Sequence, residues 1–193
     1  MNYEVLNHAC VRIEGSRILY FDPFGLKDAP HDADYIFITH DHYDHLSPED
    51  IKKVARKGST IIKPLTVSYD EFNAVSMVVG DTLSLSDIKI EAVAAYNPTK
   101  QFHPKSNGWL GYVVTIDGMT FYIAGDTDDT AEAREVRCDV AFLPVGGKFT
   151  CNADEAAALA KAINPAVQAV PYHFGAIVGT SADAERFMEL IKK

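Results

Sequence analysis

A chain of 193 residues with 47% hydrophobic content is long enough to bury one substantial core, and its length predicts a single domain over residues 1–193. A formal net charge of −9 argues against a broad basic footprint, so no nucleic-acid partner is expected. No apolar run approaches the roughly 18 residues that span a bilayer, and the opening MNYEVLNHAC has neither the basic nor the apolar region of a signal peptide, so a cytoplasmic protein with no membrane partner is expected. Cys10, Cys138 and Cys151 are odd in number, widely spaced and without a CxxC pair, which reads as three reduced structural thiols.

In chain order, YEVLNH, CVRIEG and RILYFD are short runs rich in β-branched and aromatic residues, bounded by turn formers, and they predict a β-meander. DYIFIT is a continuous apolar run that ends at His40, and after a polar loop a helix is predicted to start at Ser47 with Pro48 in its first turn. IKIEAVAAY, LGYVVTI, TFYIAG, VAFLPV and AVQAVPY read as further strands, while Asn152 to Ile163 and Ser181 to Ile191 carry helical patterning behind polar caps. Strands outnumber helices, so the fold class is α/β in the α+β sense: two packed sheets with helices outside. The irregular stretch from Asn97 to Trp109 is long enough to predict a functional loop.

The segment Thr39-His40-Asp41-His42-Tyr43-Asp44-His45-Leu46 concentrates three imidazoles and two carboxylates directly after a strand. In extended backbone, side chains two residues apart point the same way, so His40 and His42 are placed to converge on one ion while Asp44 and His45 turn toward a second; Asp41 is expected to face outward. Packing so many polar groups together without a cation would leave desolvated or mutually repelling groups, and imidazole with carboxylate suits zinc, with manganese or iron as alternatives. Asp126 after TFYIAG and His173 after AVQAVPY arrive at strand ends in the same manner, and a carboxylate such as Asp126 is able to bridge two cations.

HDHYDH, read as HxHxDH, together with AGDT and the late His173, resembles the metallo-β-lactamase superfamily; NHACVRIEG followed by ILYFDPF is similar to the branch containing L-ascorbate-6-phosphate lactonase. The resemblance runs from His8 to His173. It implies a four-layer αββα sandwich of two mixed sheets with two divalent metal ions at one edge. One ion would take His40, His42 and a further histidine, the other Asp44, His45 and His173, with Asp126 between them. Where the family usually places that further histidine this chain has Asn97, so His103 from the following loop is the candidate, with Asn97 or water as the alternatives. Asp22 matches the family aspartate that supports the metal-binding loop from beneath, and His8 matches a histidine near the active site.

The implied chemistry is hydrolysis by a metal-activated hydroxide of a small ester, lactone or phosphate-bearing substrate. Catalytic roles are assigned to Asp44 and His103, with Asp44 or another site acid handling the leaving-group proton. No GxSxG elbow and no P-loop offers another route. A phosphodiesterase or nuclease of the same superfamily, a flavodiiron-type redox protein and a non-catalytic metal-binding protein are the competing readings. Within the loop from Asn97 to Trp109, Lys100, His103 and Lys105 occur without a carboxylate, which predicts a preference for anionic small molecules.

Overall fold

Apolar side chains alternate between two destinations along most of the strands, and that alternation builds the layers. The computed structural model describes residues 1–85 and 87–192. Its first sheet is six-stranded, with β1 (Asn2–Asn7), β2 (Cys10–Glu14), β3 (Ile18–Phe21), β4 (Ala33–Phe37), β5 (Ala55–Pro64) and β6 (Asn73–Met77) side by side in chain order. The second, also six-stranded, runs from β7 (Thr82–Leu85) through β8 (Ile88–Ala94), β9 (Leu110–Ile116), β10 (Met119–Ile123) and β11 (Val140–Pro144) to β12 (Gln168–Tyr172). Both are mixed: β1 to β3 form the predicted antiparallel meander and β3 to β6 are parallel, while β7 to β10 are antiparallel and β10 to β12 parallel.

Leu19 and Phe21 of β3, Phe37 of β4, and Phe121, Ile123, Val140 and Phe142 of the second sheet point into the shared core, where Phe21 stacks on Phe37 at 4.4 Å. Their neighbours Tyr20, Ile36 and Ile38 turn to the outer face, beneath Ile51 and Val54 of α1 (Pro48–Val54). On the opposite outer face, Tyr122, Ala141 and Leu143 pack beneath α2 (Ala131–Arg134), α3 (Ala153–Ile163) and α4 (Ser181–Ile191). Strands covered on both faces read as continuous apolar runs, which is why DYIFIT and VAFLPV lack polar alternation. The result is the expected αββα sandwich.

Strand directions place the functional rim. Within the first sheet β1, β3 and β4 run the same way, and within the second β8, β10 and β12 do so. The residues just past their C-terminal ends therefore collect at one edge of each sheet, and Leu110 N to Thr39 O at 3.1 Å and Tyr112 Oη to Ile38 O at 2.8 Å tie those edges together. Ser47 caps α1 with Pro48 in its first turn and Asn152 caps α3, polar starts that the sequence predicts, and Glu155 completes a capping box with Asn152. The sequence expectation lacks β5, β6, β7 and α2. β5 carries Gly58 and exposed charge in its first half, β6 and β7 are short and half exposed, and α2 has only 4 residues, so none produces a sustained period.

Candidate metal centre

Each candidate residue of the rim follows a strand. His8 lies in the β1–β2 turn, Asp22 directly after β3, His40 three residues beyond β4, Asp126 three beyond β10, and His173 directly after β12. After His40 the chain folds back on itself through His45 N to His42 O at 3.0 Å and Leu46 N to His42 O at 2.8 Å, which brings His40, His42, Asp44 and His45 to one side. Asp41 is exposed and faces away. His8, Asp22 and His173 adopt left-handed φ values of 47°, 45° and 58°, a conformation that costs of order 1–3 kcal/mol per non-glycine residue and persists where surrounding structure enforces it.

Two side chains fix ring tautomers. Asp22 is fully buried and accepts from Thr39 N at 2.8 Å, Thr39 Oγ1 at 2.7 Å and His45 Nδ1 at 2.7 Å. A carboxylate only accepts, so His45 carries its proton on Nδ1 and turns the Nε2 lone pair toward Asp126 Oδ1, 3.3 Å away. Asn97 does the same for His103: its Oδ1 accepts from His103 N at 3.1 Å and from His103 Nδ1 at 2.8 Å, and His103 Nε2 lies 3.2 Å from Asp126 Oδ2. Of the two residues raised by the sequence for this position beside water, His103 enters the cluster and Asn97 stands behind it.

Asp126 is the hub. His173 Nε2 is 3.1 Å and His40 Nε2 3.9 Å from its Oδ2. Ring nitrogens of His40, His42 and His103 lie within 4.8 Å of one another, and so do donor atoms of His8, Asp44, His45 and His173. His8 Nε2 is 3.2 Å from Asp44 Oδ2, and the His8 ring sits 4.0 Å from that of His173. Trp109 packs against His40 and His42, each at 4.9 Å. Trp109 closes the predicted loop and Thr39 opens the HxHxDH segment, yet nothing in the local pattern marks either as a support.

Buried atoms left without a hydrogen-bond partner concentrate here: His45 Nε2, His103 Nε2, His173 Nε2 and Asp126 Oδ1 all face the same space. Burial pushes the pKa values of His40, His42 and His173 down, which keeps these imidazoles in the neutral form that ligates metal. Burial alone would raise Asp126, but His173 and His45 outweigh it and hold its carboxyl well below the usual range. His45 is the counterpart: burial would lower it, whereas Asp126 and Asp22 push it well up, so a metal ion would displace a proton from its Nε2. Lone pairs and carboxylates converging on one buried space call for positive charge, and divalent cations fit this donor set.

A cavity of about 230 Å³ opens above the cluster between Tyr43, Phe102, Phe149 and Ile177. The loop lysines that the sequence offered for an anion do not line it. Lys100 Nζ is 2.5 Å from Asp128 and 2.7 Å from the Thr150 carbonyl, and Lys105 Nζ is 2.5 Å from Glu132 and 4.7 Å over the Tyr96 ring. Carboxylates from distant segments neutralise a loop that carries none of its own.

Residues 3–173 match the family model described as a beta-lactamase superfamily domain. A UPF0173 metal-dependent hydrolase of Thermococcus kodakarensis is 31% identical over 96% of this chain and 90% of its own length. A Parabacteroides distasonis crystal structure, provisionally named a metal-dependent hydrolase, is 30% identical with a TM-score of 0.80 over 98% of this chain and 87% of that one. Igni18, a metallo hydrolase of Ignicoccus hospitalis, shares the fold with a TM-score of 0.78 at 21% identity, covering 98% of this chain and 92% of its own. These relatives lend no support to the ascorbate-6-phosphate lactonase branch. The chain belongs to the UPF0173 metal-dependent hydrolase family of the metallo-β-lactamase superfamily.

Proposed function

We propose that the protein hydrolyses a small ester, lactone or phosphate-bearing substrate at a pair of divalent ions, with zinc the best match to the donor set and manganese or iron as alternatives. The observation that carries this reading is the convergence of unpartnered Nε2 atoms from His45, His103 and His173 on the buried Asp126. His40, His42 and His103 would hold one ion, Asp44, His45 and His173 the other, and Asp126 would reach both. When bound, such a pair supplies Lewis acidity and a water that ionises near neutral pH.

The chain's own residues do the remaining work. Asp22 and Asn97 lock the tautomers of His45 and His103 so that lone pairs face inward. Asp44 and His103 line the cavity. Burial opposes ionisation of Asp44, but the His8 hydrogen bond and His45 outweigh it and keep its pKa low. With His8 Nε2 behind it at 3.2 Å, the Asp44 carboxylate would accept a proton from the attacking water and relay it to the leaving group. The free thiols of Cys10, Cys138 and Cys151 are in keeping with a reducing, cytoplasmic setting.

Elemental analysis of unchelated protein is expected to find about two equivalents of zinc, manganese or iron, as a shared bridging carboxylate allows. Chelation should abolish hydrolysis of generic lactone, ester and phosphodiester substrates, and His42→Ala should weaken metal binding with the fold retained. Absence of metal after reconstitution, or full activity in chelated protein, overturns the proposal.

A further inference from the structure

The wall of the cavity above Asp126 is apolar, and neighbouring lysines are turned to other partners. Tyr43, Phe102 and Ile177 are 68%, 45% and 38% exposed. Large apolar groups uncovered at the mouth of a polar cluster gain when a ligand covers them, roughly in proportion to the area removed from water. Phe102 and Phe149 meet edge to face at 4.7 Å and 88°, a geometry that leaves ring surface for a third apolar group. The cavity of about 230 Å³ falls below the roughly 300 Å³ at which drug-sized ligand sites begin, so the substrate is small.

Charge points the same way. Lys100 is committed to Asp128 and the Thr150 carbonyl, and Lys105 to Glu132 and Tyr96. Lys148 lies over the Phe149 ring, 5.0 Å from its centroid. The chain as a whole carries a net charge of −9. A second anionic group seated against Phe102, Tyr43 and Ile177, away from Lys148, would meet carbon and lose its hydration without replacement.

We propose that the site takes small uncharged esters or lactones carrying an aromatic group, seated against Phe102, Phe149 and Tyr43, and that it rejects a charged group at that end. This rests on the hydrolytic reading above and narrows it to acyl transfer to water. The water oxygen bonds to the acyl carbon, the carbon–oxygen bond to the alcohol breaks, and the alcohol leaves with a proton; nothing is oxidised or reduced.

Calorimetric titration of the zinc-loaded protein with 2-phenylacetamide and with its 4-sulfonate reads the pocket without turnover. The uncharged amide is expected to bind at least about tenfold tighter, since the sulfonate is desolvated against apolar walls. In parallel, Phe102→Ala and Phe149→Ala should each lower the kcat/KM ratio of methyl phenylacetate over methyl acetate by about tenfold, the scale of a lost aromatic contact. Lys148→Ala should leave the preference for the uncharged compound in place. Equal or tighter binding of the sulfonate, or an unmoved ester ratio in both phenylalanine variants, overturns the proposal. Selective binding with no ester, lactone or phosphodiester hydrolysed would uphold the pocket and overturn the hydrolytic reading, whereas hydrolysis without selectivity would do the reverse.

Discussion

His103 donates its Nδ1 proton to Asn97 Oδ1 at 2.8 Å, and the opposite ring nitrogen lies 3.2 Å from Asp126. One contact fixes the tautomer that the other requires, so the two residues contribute differently to metal binding. His103→Ala is expected to remove a ligand from the His40 and His42 site and lower the metal stoichiometry of purified protein. Asn97→Ala should keep the stoichiometry and weaken affinity by about 10- to 100-fold, the usual effect of losing a group that orients a ligand. Competition with a graded chelator measures both. Wild-type affinity in both variants would mean that water completes this site.

Asp22 accepts three hydrogen bonds, from Thr39 N, Thr39 Oγ1 and His45 Nδ1. Asp22→Asn presents an NH₂ group where at least one donor must be received, so it opposes the tautomer that His45 needs. Metal affinity is expected to fall by about 10- to 100-fold. The apo protein should also lose about 1–3 kcal/mol from the unsatisfied buried donor. Chelator competition and urea unfolding of the apo protein report these effects separately, and a variant with a normal metal affinity would remove Asp22 from the site.

Asp50 ties the start of α1 to the segment after β3. It accepts from Gly25 N at 2.8 Å, Leu26 N at 3.1 Å, Ser47 Oγ at 2.9 Å and Lys53 Nζ at 2.8 Å. Burial would raise its pKa, but the bonds from Lys53 and the Gly25 amide outweigh it and hold the carboxyl below its ordinary value. A folded pKa below the unfolded one makes the stabilisation complete above about pH 4 and removes it as pH falls through the lower folded value. Asp50→Asn should therefore unfold more easily by about 1–3 kcal/mol at pH 7, with the gap to wild type closing toward pH 3. Urea midpoints of both proteins across that range test this, and a gap independent of pH would refute it.

Lys100, which the sequence offered for recognition of an anion, holds Asp128 and the Thr150 carbonyl. Lys100→Ala leaves the buried Asp128 without its cation and is expected to cost about 1–3 kcal/mol. Lys105 and Glu132 are more exposed, so Lys105→Ala should stay within about 0.5 kcal/mol of wild type. Urea unfolding gives the two values. Neither substitution should change the ratio of kcat/KM for charged and uncharged substrates; a fall in that ratio would restore the lysines to the site.

Much of this protein is local in origin. The HxHxDH segment, the strand-end positions of Asp126 and His173, and the helix caps at Ser47 and Asn152 were legible because period, capping and chain direction act over a few residues. In the apolar runs RILYFD and DYIFIT, by contrast, only the packed sheets show that Phe21 and Phe37 enter one layer and Tyr20 and Ile36 another. Tertiary structure decided how the pieces met. It folded the loop so that Asn97 stands behind His103, set Thr39 between Asp22 and His45, and turned Lys100 to Asp128, 28 residues away. It also brought Phe102 against Phe149 to line the cavity. These pairings depend on which strands are neighbours and where their ends coincide, and sheet order is set by the summed burial of the whole core, to which no short segment holds the answer.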